Sequence, residues 1–277
     1  MKKFYSALKI LSVAALLASL AALGAVIVYV LVNGADKLSL PLLFGEYRSD
    51  SPSVFPAFIG TLELVFIASV IAVPIGVASA LFLVEYTSTG SRFVKAVQIA
   101  TETLAGIPSI VYGLFGYLVF VVTLGWGYSM LGGGITLAIM ILPTIVRSTQ
   151  ESLLAVQEGL REGSYALGTS KVRTIFKIVL PSAAGGIVTA IILAVGRVIS
   201  ESAVLILTVG MVINKVPDTL LSPGTSLALD IYYFASHGYP DEAAATAVVL
   251  LVFVIILNLL AEWIGKLIKK STYGDTK

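Results

Sequence analysis

The chain has 277 residues, 57% of them hydrophobic and only 12% charged, with a mean hydropathy of +0.98 and a net charge of +2. No water-soluble domain of this length tolerates so apolar a composition, so the chain is an integral membrane protein. The absence of cysteine excludes disulfides, thiolate metal sites and cysteine nucleophiles, and the small net charge argues against nucleic-acid binding.

A helix crossing the hydrocarbon layer needs roughly 20 apolar residues. Six stretches qualify, at about 10–32, 57–84, 103–124, 131–146, 182–210 and 243–265, which predicts an all-α polytopic protein with six transmembrane helices. The first follows "MKKFYSALK" and runs unbroken through "VIVYVLV", longer than a signal-peptide core, so it reads as a retained helix. The second carries Glu63, a carboxylate inside an apolar run with no partner legible in sequence. The third contains Tyr112, Gly113 and Gly116, which either line a pathway or let helices approach closely. Pro74, Pro108 and Pro143 fall in or near spans and permit kinks.

Between the fourth and fifth spans lies the largest polar segment. "QESLLAVQEGLREGSYAL" (150–167) predicts one amphipathic helix, Gly168 its stop, "TS" at 169–170 the cap of a second short helix, and Pro181 the start of the next span. The fifth span places Arg197 and Glu201 four residues apart, on one helix face with Gly186, Ala190 and Thr208 and with Ser200 beside them, so they are expected to pair. An intramembrane charge costs at least about 2.5 kcal/mol. Either the pair fixes helix packing, or Arg197 offers its guanidinium fork to an oxyanion while Glu201 keeps that cation from binding too tightly.

With the first segment inside, 14 of the 18 Lys and Arg fall on the inner side, three (Lys37, Arg48, Lys215) fall outside, and Arg197 lies in the membrane. Both termini and the polar segment around Glu162 are therefore expected to be cytoplasmic. His237 reads as a solvated side chain in an outer loop. No GxxxxGK[ST], GxSxG or metal-ligand cluster occurs, so the chain is expected to be no enzyme and to hold no cofactor of its own.

The spacing from Glu162 through Gly168 to "IVLP" at 178–181 resembles the EAA loop of ABC importer permeases, with Gly163 and Ser164 in place of the two alanines. Together with "AVPIGVASALFLVEY", "ETLAGIPSIVYGLFGY" and the Arg197/Glu201 helix, the chain is similar to permeases of the phosphate-specific ABC importer. The tail "SLALDIYYFASHGYPDEAAATAVVLLVFVIILNLLA" favours the PstA over the PstC type. Two departures from that pattern are Ser200-Glu201-Ser202 where the family has Gly-Glu-Thr after the arginine, and Glu63 itself.

The resemblance implies a type I ABC importer permease fold in the cell inner membrane. A first helix and outer loop (1–56) would precede the transmembrane domain (57–268), which holds a coupling loop at 148–181, and a cytoplasmic tail (269–277) would follow. It also implies ATP bound by a dimer of partner ATPase subunits, a second permease of PstC type and an extracytoplasmic phosphate-binding protein. Arg161, Glu162, Gly163, Ser164 and Gly168 would couple to the ATPase, and Arg197, Ser200, Glu201 and Tyr112 would form the substrate pathway. Another oxyanion such as phosphonate, or an ion-gradient-driven secondary transporter using Glu63 and Glu201, are the alternatives.

Overall fold

An unpaired backbone amide in hydrocarbon costs several kcal/mol, so apolar stretches of this length fold as helices that satisfy their own backbone. The computed structural model describes residues 2–45, 47–48, 52–88 and 90–273 and is all-α. Its elements are α1 (Lys2–Ala35), α2 (Leu40–Phe44), α3 (Phe55–Leu81), α4 (Arg92–Ala105), α5 (Ser109–Gly116), α6 (Met130–Leu154), α7 (Glu158–Ala166), α8 (Lys171–Thr174), α9 (Leu180–Ile199), α10 (Ala203–Thr208), α11 (Leu227–Ser236) and α12 (Pro240–Tyr273). Wider π-type turns extend α3 through Phe82–Tyr86 and α5 through Tyr117–Thr123, and a third, Ile175–Val179, joins α8 to α9.

Among the described residues five helices are long and apolar enough to cross a membrane, and α4 with α5 makes a bent sixth. The expected spans at 10–32, 57–84 and 243–265 lie within α1, α3 with its extension, and α12. The expected third span, 103–124, is instead split. Pro108 has no N–H and disfavours helix at Ile107, and the axis turns by 97° between α4 and α5. The amphipathic α4 buries none of its residues.

The expected fifth span, 182–210, breaks after Ile199, and its helix begins earlier, running unbroken from Lys171. Pro181 therefore does not restart the chain; the π-type turn just before it widens the ladder where the proline ring would press on the preceding turn. The single helix expected over 150–167 is two, since Gln157 adopts an extended ψ of 130° between α6 and α7. Past residue 268 α12 continues to Tyr273, and residues 274–277 of the expected tail lie outside the described residues.

α3 lies along α6, α6 packs on α9, and α12 packs on both α9 and α1. Small residues set the α3–α6 distance: a Cβ on Gly76 would collide with Ile145, and one on Gly134 with Ile67. The first amides of α6 find acceptors in a neighbouring loop, Met130 N–H donating to Ser222 C=O (3.0 Å) and Leu131 N–H to Leu220 C=O (2.8 Å), while the Ser129 hydroxyl caps Gly132.

At the same end of the bundle α11 is fastened to α3, with Leu227 N–H donating to Thr61 Oγ1 at 2.9 Å. Beside that junction Asp230 is fully buried and accepts a hydrogen bond from the Thr225 hydroxyl. Burial pushes the Asp230 carboxyl from 3.8 up to about 7, and the Thr225 bond opposes this only in part. Between those two values the folded chain keeps a proton that the unfolded chain has released. The stabilisation from the protonated form is therefore complete below 3.8 and lost as pH rises to about 7. Asp230→Asn, which keeps an acceptor for Thr225, should remove this slope. Thermal unfolding of the solubilised protein should show the variant gaining on the parent across that pH window, and a constant difference would contradict the burial argument.

Candidate functional site

Two regions hold the residues singled out by sequence, one inside the bundle where α9 ends and one at the end of the bundle that carries α7.

α9 stops because Ser200 turns its hydroxyl back onto the last turn, donating to Gly196 C=O (3.0 Å) and Arg197 C=O (3.3 Å). Glu201 then accepts from the Val204 N–H at 3.2 Å and so caps α10. The expected Arg197–Glu201 pair does not form. With the helix broken between them the two residues no longer share a face, and the carboxylate serves α10 instead. Among the described residues the half-buried Arg197 side chain makes no ion pair or hydrogen bond. It lies about 25 Å along α9 from Leu180, at 1.5 Å per residue.

Tyr112 is buried and sits within the electrostatic reach of Arg197, but its hydroxyl donates to Leu104 C=O at 2.7 Å across the α4–α5 bend. The Tyr112 hydroxyl is thus occupied by the backbone of its own bend. Gly113 and Gly116 pack closely, Gly113 against α10 and Gly116 against Thr136 and Thr208. Glu63 is half-buried on α3, and its carboxylate makes no hydrogen bond or ion pair among the described residues.

At the other region α7 ends in a complete glycine stop. Gly168 has φ +76°, its N–H donates to Tyr165 C=O (2.9 Å), and Thr169 N–H reaches back to Ser164 C=O (3.3 Å). Ser170, rather than Thr169, caps α8 by accepting from Arg173 N–H. Glu162 and Gly163 face outward, with open space over Gly163, and Leu167 is 86% exposed.

Ser164 and Arg161 face inward. The Ser164 hydroxyl meets Thr174 Oγ1 at 2.8 Å. Arg161 was expected among the surface charges of the loop, but it is buried against Glu85, because the gap between α6 and α7 leaves carbonyl groups that a guanidinium can satisfy. Sequence reasoning missed Glu85. It closes the apolar run "FLVEY" as a lone carboxylate, and 76 residues separate it from Arg161.

His237 is exposed as expected, stacked on Tyr233. Among the described residues no group of three or more His, Cys, Asp or Glu is placed to hold a metal.

Residues 72–272 match the family model of the binding-protein-dependent transport system inner membrane component. The chain belongs to that family. This permease is similar to the probable ABC transporter permease protein YqgI of Bacillus subtilis, 31% identical over 88% of each chain. It is also similar to the phosphate transport system permease protein PstA 1 of Mycobacterium tuberculosis, 38% identical over 76% of this chain and 70% of that one.

Among solved structures the permease resembles a bacterial alginate ABC transporter crystallised with an alginate pentasaccharide-bound periplasmic protein (TM-score 0.67, 15% identity, 88% of each chain). It also resembles the MetNI methionine ABC transporter in inward-facing form (TM-score 0.61, 19% identity, 78% of this chain and 94% of that one). The fold is that of a type I ABC importer permease.

The two glycines of the α7 region make opposite predictions. Gly168→Ala forces a side chain into a left-handed conformation and should cost about 1–2 kcal/mol. Gly163→Ala enters open space on a helix and should gain up to about 1 kcal/mol. Thermal unfolding of the solubilised permease reads both signs; equal effects would contradict the assigned helix stop.

Proposed function

We propose that this chain is one of two permease subunits of an ATP-driven importer for inorganic phosphate. The observation that carries the reading is Arg197, a guanidinium held within a membrane span with no partner among the described residues, in a protein similar over three quarters of its length to a phosphate transport system permease. Uncompensated charge at that depth is costly, and a planar five-donor fork matches a tetrahedral oxyanion. Because Glu201 caps α10, the cation is not neutralised locally and remains available to cargo.

The chain contains no phosphate-cradling glycine loop, so ATP is bound and hydrolysed by partner ATPase subunits. The outward face of α7 (Glu162, Gly163, Leu167) is where an ATPase docks, and Gly168 sets the angle at which α8 leaves that face. An extracytoplasmic binding protein delivers phosphate at the end of the bundle that carries α11, and both termini are cytoplasmic. A cysteine at Leu221, in a chain that has no other, should react with an impermeant reagent added outside, and one at Ser170 only after the cytoplasmic side is opened. The reverse pattern overturns the orientation.

Transport is tested by co-purifying the chain with its ATPase, second permease and binding protein, and reconstituting them in vesicles with radiolabelled phosphate. Uptake should require both ATP and the binding protein; uptake without either overturns the reading. Arg197→Gln breaks no internal ion pair, so the complex should assemble. Losing a charge-assisted contact of about 2 kcal/mol should lower uptake roughly thirtyfold. Parental uptake by an assembled Arg197→Gln complex would remove Arg197 from the pathway.

A further inference from the structure

α7 is joined to the rest of the chain by polar contacts, since the only two residues it buries are Arg161 and Ser164. Arg161 makes the larger set. Its Nε and Nη2 both donate to one oxygen of Glu85, at 3.2 and 3.1 Å. Nη2 also donates to Leu153 C=O (3.0 Å), and Nη1 to Val156 C=O (2.9 Å) and to Glu158 (3.2 Å). The Arg161 and Glu85 side chains are only 9% and 6% exposed. One planar group therefore ties together the end of α3, the end of α6 and the whole of α7. The next residue, Tyr86, places its ring under Lys171 at 5.0 Å, so the end of α3 also holds the start of α8.

A buried ion pair is a poor device for stability alone, because apolar residues of similar volume are often as good or better. The surroundings here would accept them, since Ala80, Leu153, Val156, Val179 and Ala183 form an apolar cluster at the same place. What the guanidinium adds is direction: its fork fixes the angle between helices as well as their distance, whereas apolar surfaces slide. The outward face of α7 is open, so a force applied there enters the membrane helices through this group.

We infer that the Arg161–Glu85 pair is a strut that carries displacement of α7 into α3 and α6. Both are positioning residues that act through the helices they join and touch neither cargo nor nucleotide. The inference rests on the permease reading above. It predicts that loss of the strut separates ATP hydrolysis from transport without detaching the ATPase.

The test uses the complete complex, with the ATPase and binding protein that co-purify from native membranes, reconstituted in vesicles. Glu85→Gln keeps volume and an acceptor but removes the charge. The double variant Glu85→Gln, Arg161→Gln removes both charges together and keeps an amide donor where the guanidinium met the carbonyls of Leu153 and Val156. Three quantities are read: ATPase retained in the complex, phosphate taken up per ATP hydrolysed, and stimulation of hydrolysis by the binding protein.

Both variants should retain the ATPase, while the transport ratio and the stimulation each fall by about fivefold or more. A merely structural pair predicts that the uncharged double variant, once assembled, restores both to parental values, and that result overturns the strut. Loss of the ATPase from either variant overturns it too, by making the pair a docking support. Stimulation does not depend on the cargo being phosphate. A parental complex that responds to the binding protein but takes up no phosphate therefore sinks the phosphate reading, while the strut is still decided by the stimulation.

Discussion

The constraint on which the rest depends is that a helix broken inside or beside a membrane releases backbone groups that water cannot reach. This chain breaks its helices at three such places, and at each a polar side chain takes up what the break releases. At the α4–α5 bend the Tyr112 hydroxyl reaches Leu104 C=O. Between α6 and α7 Arg161 takes the carbonyls of Leu153 and Val156. Between α9 and α10 Ser200 takes Gly196 C=O and Glu201 takes Val204 N–H. The same residues that stand out in sequence as polar intrusions are thus the ones that make the breaks possible.

That arrangement sharpens what is left over. Of the polar residues in the spans that sequence reasoning marked as a pathway, only Arg197 has a side chain that no backbone group or ion pair among the described residues occupies. Ser200 and Glu201 end α9 just beyond it, and Tyr112 pins the α4–α5 bend. A charge at the end of a helix without a counter-ion meets the carbonyl end of that helix, which favours a cation there.

Five of the six spans and the glycine stop at Gly168 were legible in sequence because each rests on local rules, hydropathy over about 20 residues and the left-handed freedom of glycine. Hydropathy averages over a window, however, and cannot see a three-residue interruption. Ser200-Glu201-Ser202 lowers the apolar character of its window too little to be read as a break, and the pairing drawn between Arg197 and Glu201 assumed an unbroken helix. The same blindness joined α4 to α5. Glu85 was not legible at all, since its partner lies 76 residues away and no periodicity links them. Its role exists only once α3 and α7 meet.

The π-type turns complete the mechanical picture. Two of the three, Phe82–Tyr86 and Ile175–Val179, flank the α7–α8 loop, one closing α3 and the other opening α9. Such turns are less favourably wound than α-helix and mark places where a ladder shifts register. The α3–α6 contact beyond them has no such slack, because Gly76 and Gly134 already let Ile145 and Ile67 in to contact, and a packed interface moves as a unit rather than bending. Displacement of α7 thus has two routes into the membrane. One runs through the Arg161 fork into the end of α6 and, by way of the wide turn that carries Glu85, into α3. The other runs through α8 and a wide turn into α9, the helix that carries Arg197. Both routes therefore cross a wide turn, but only the first also reaches α6 directly, through the carbonyls of Leu153 and Val156.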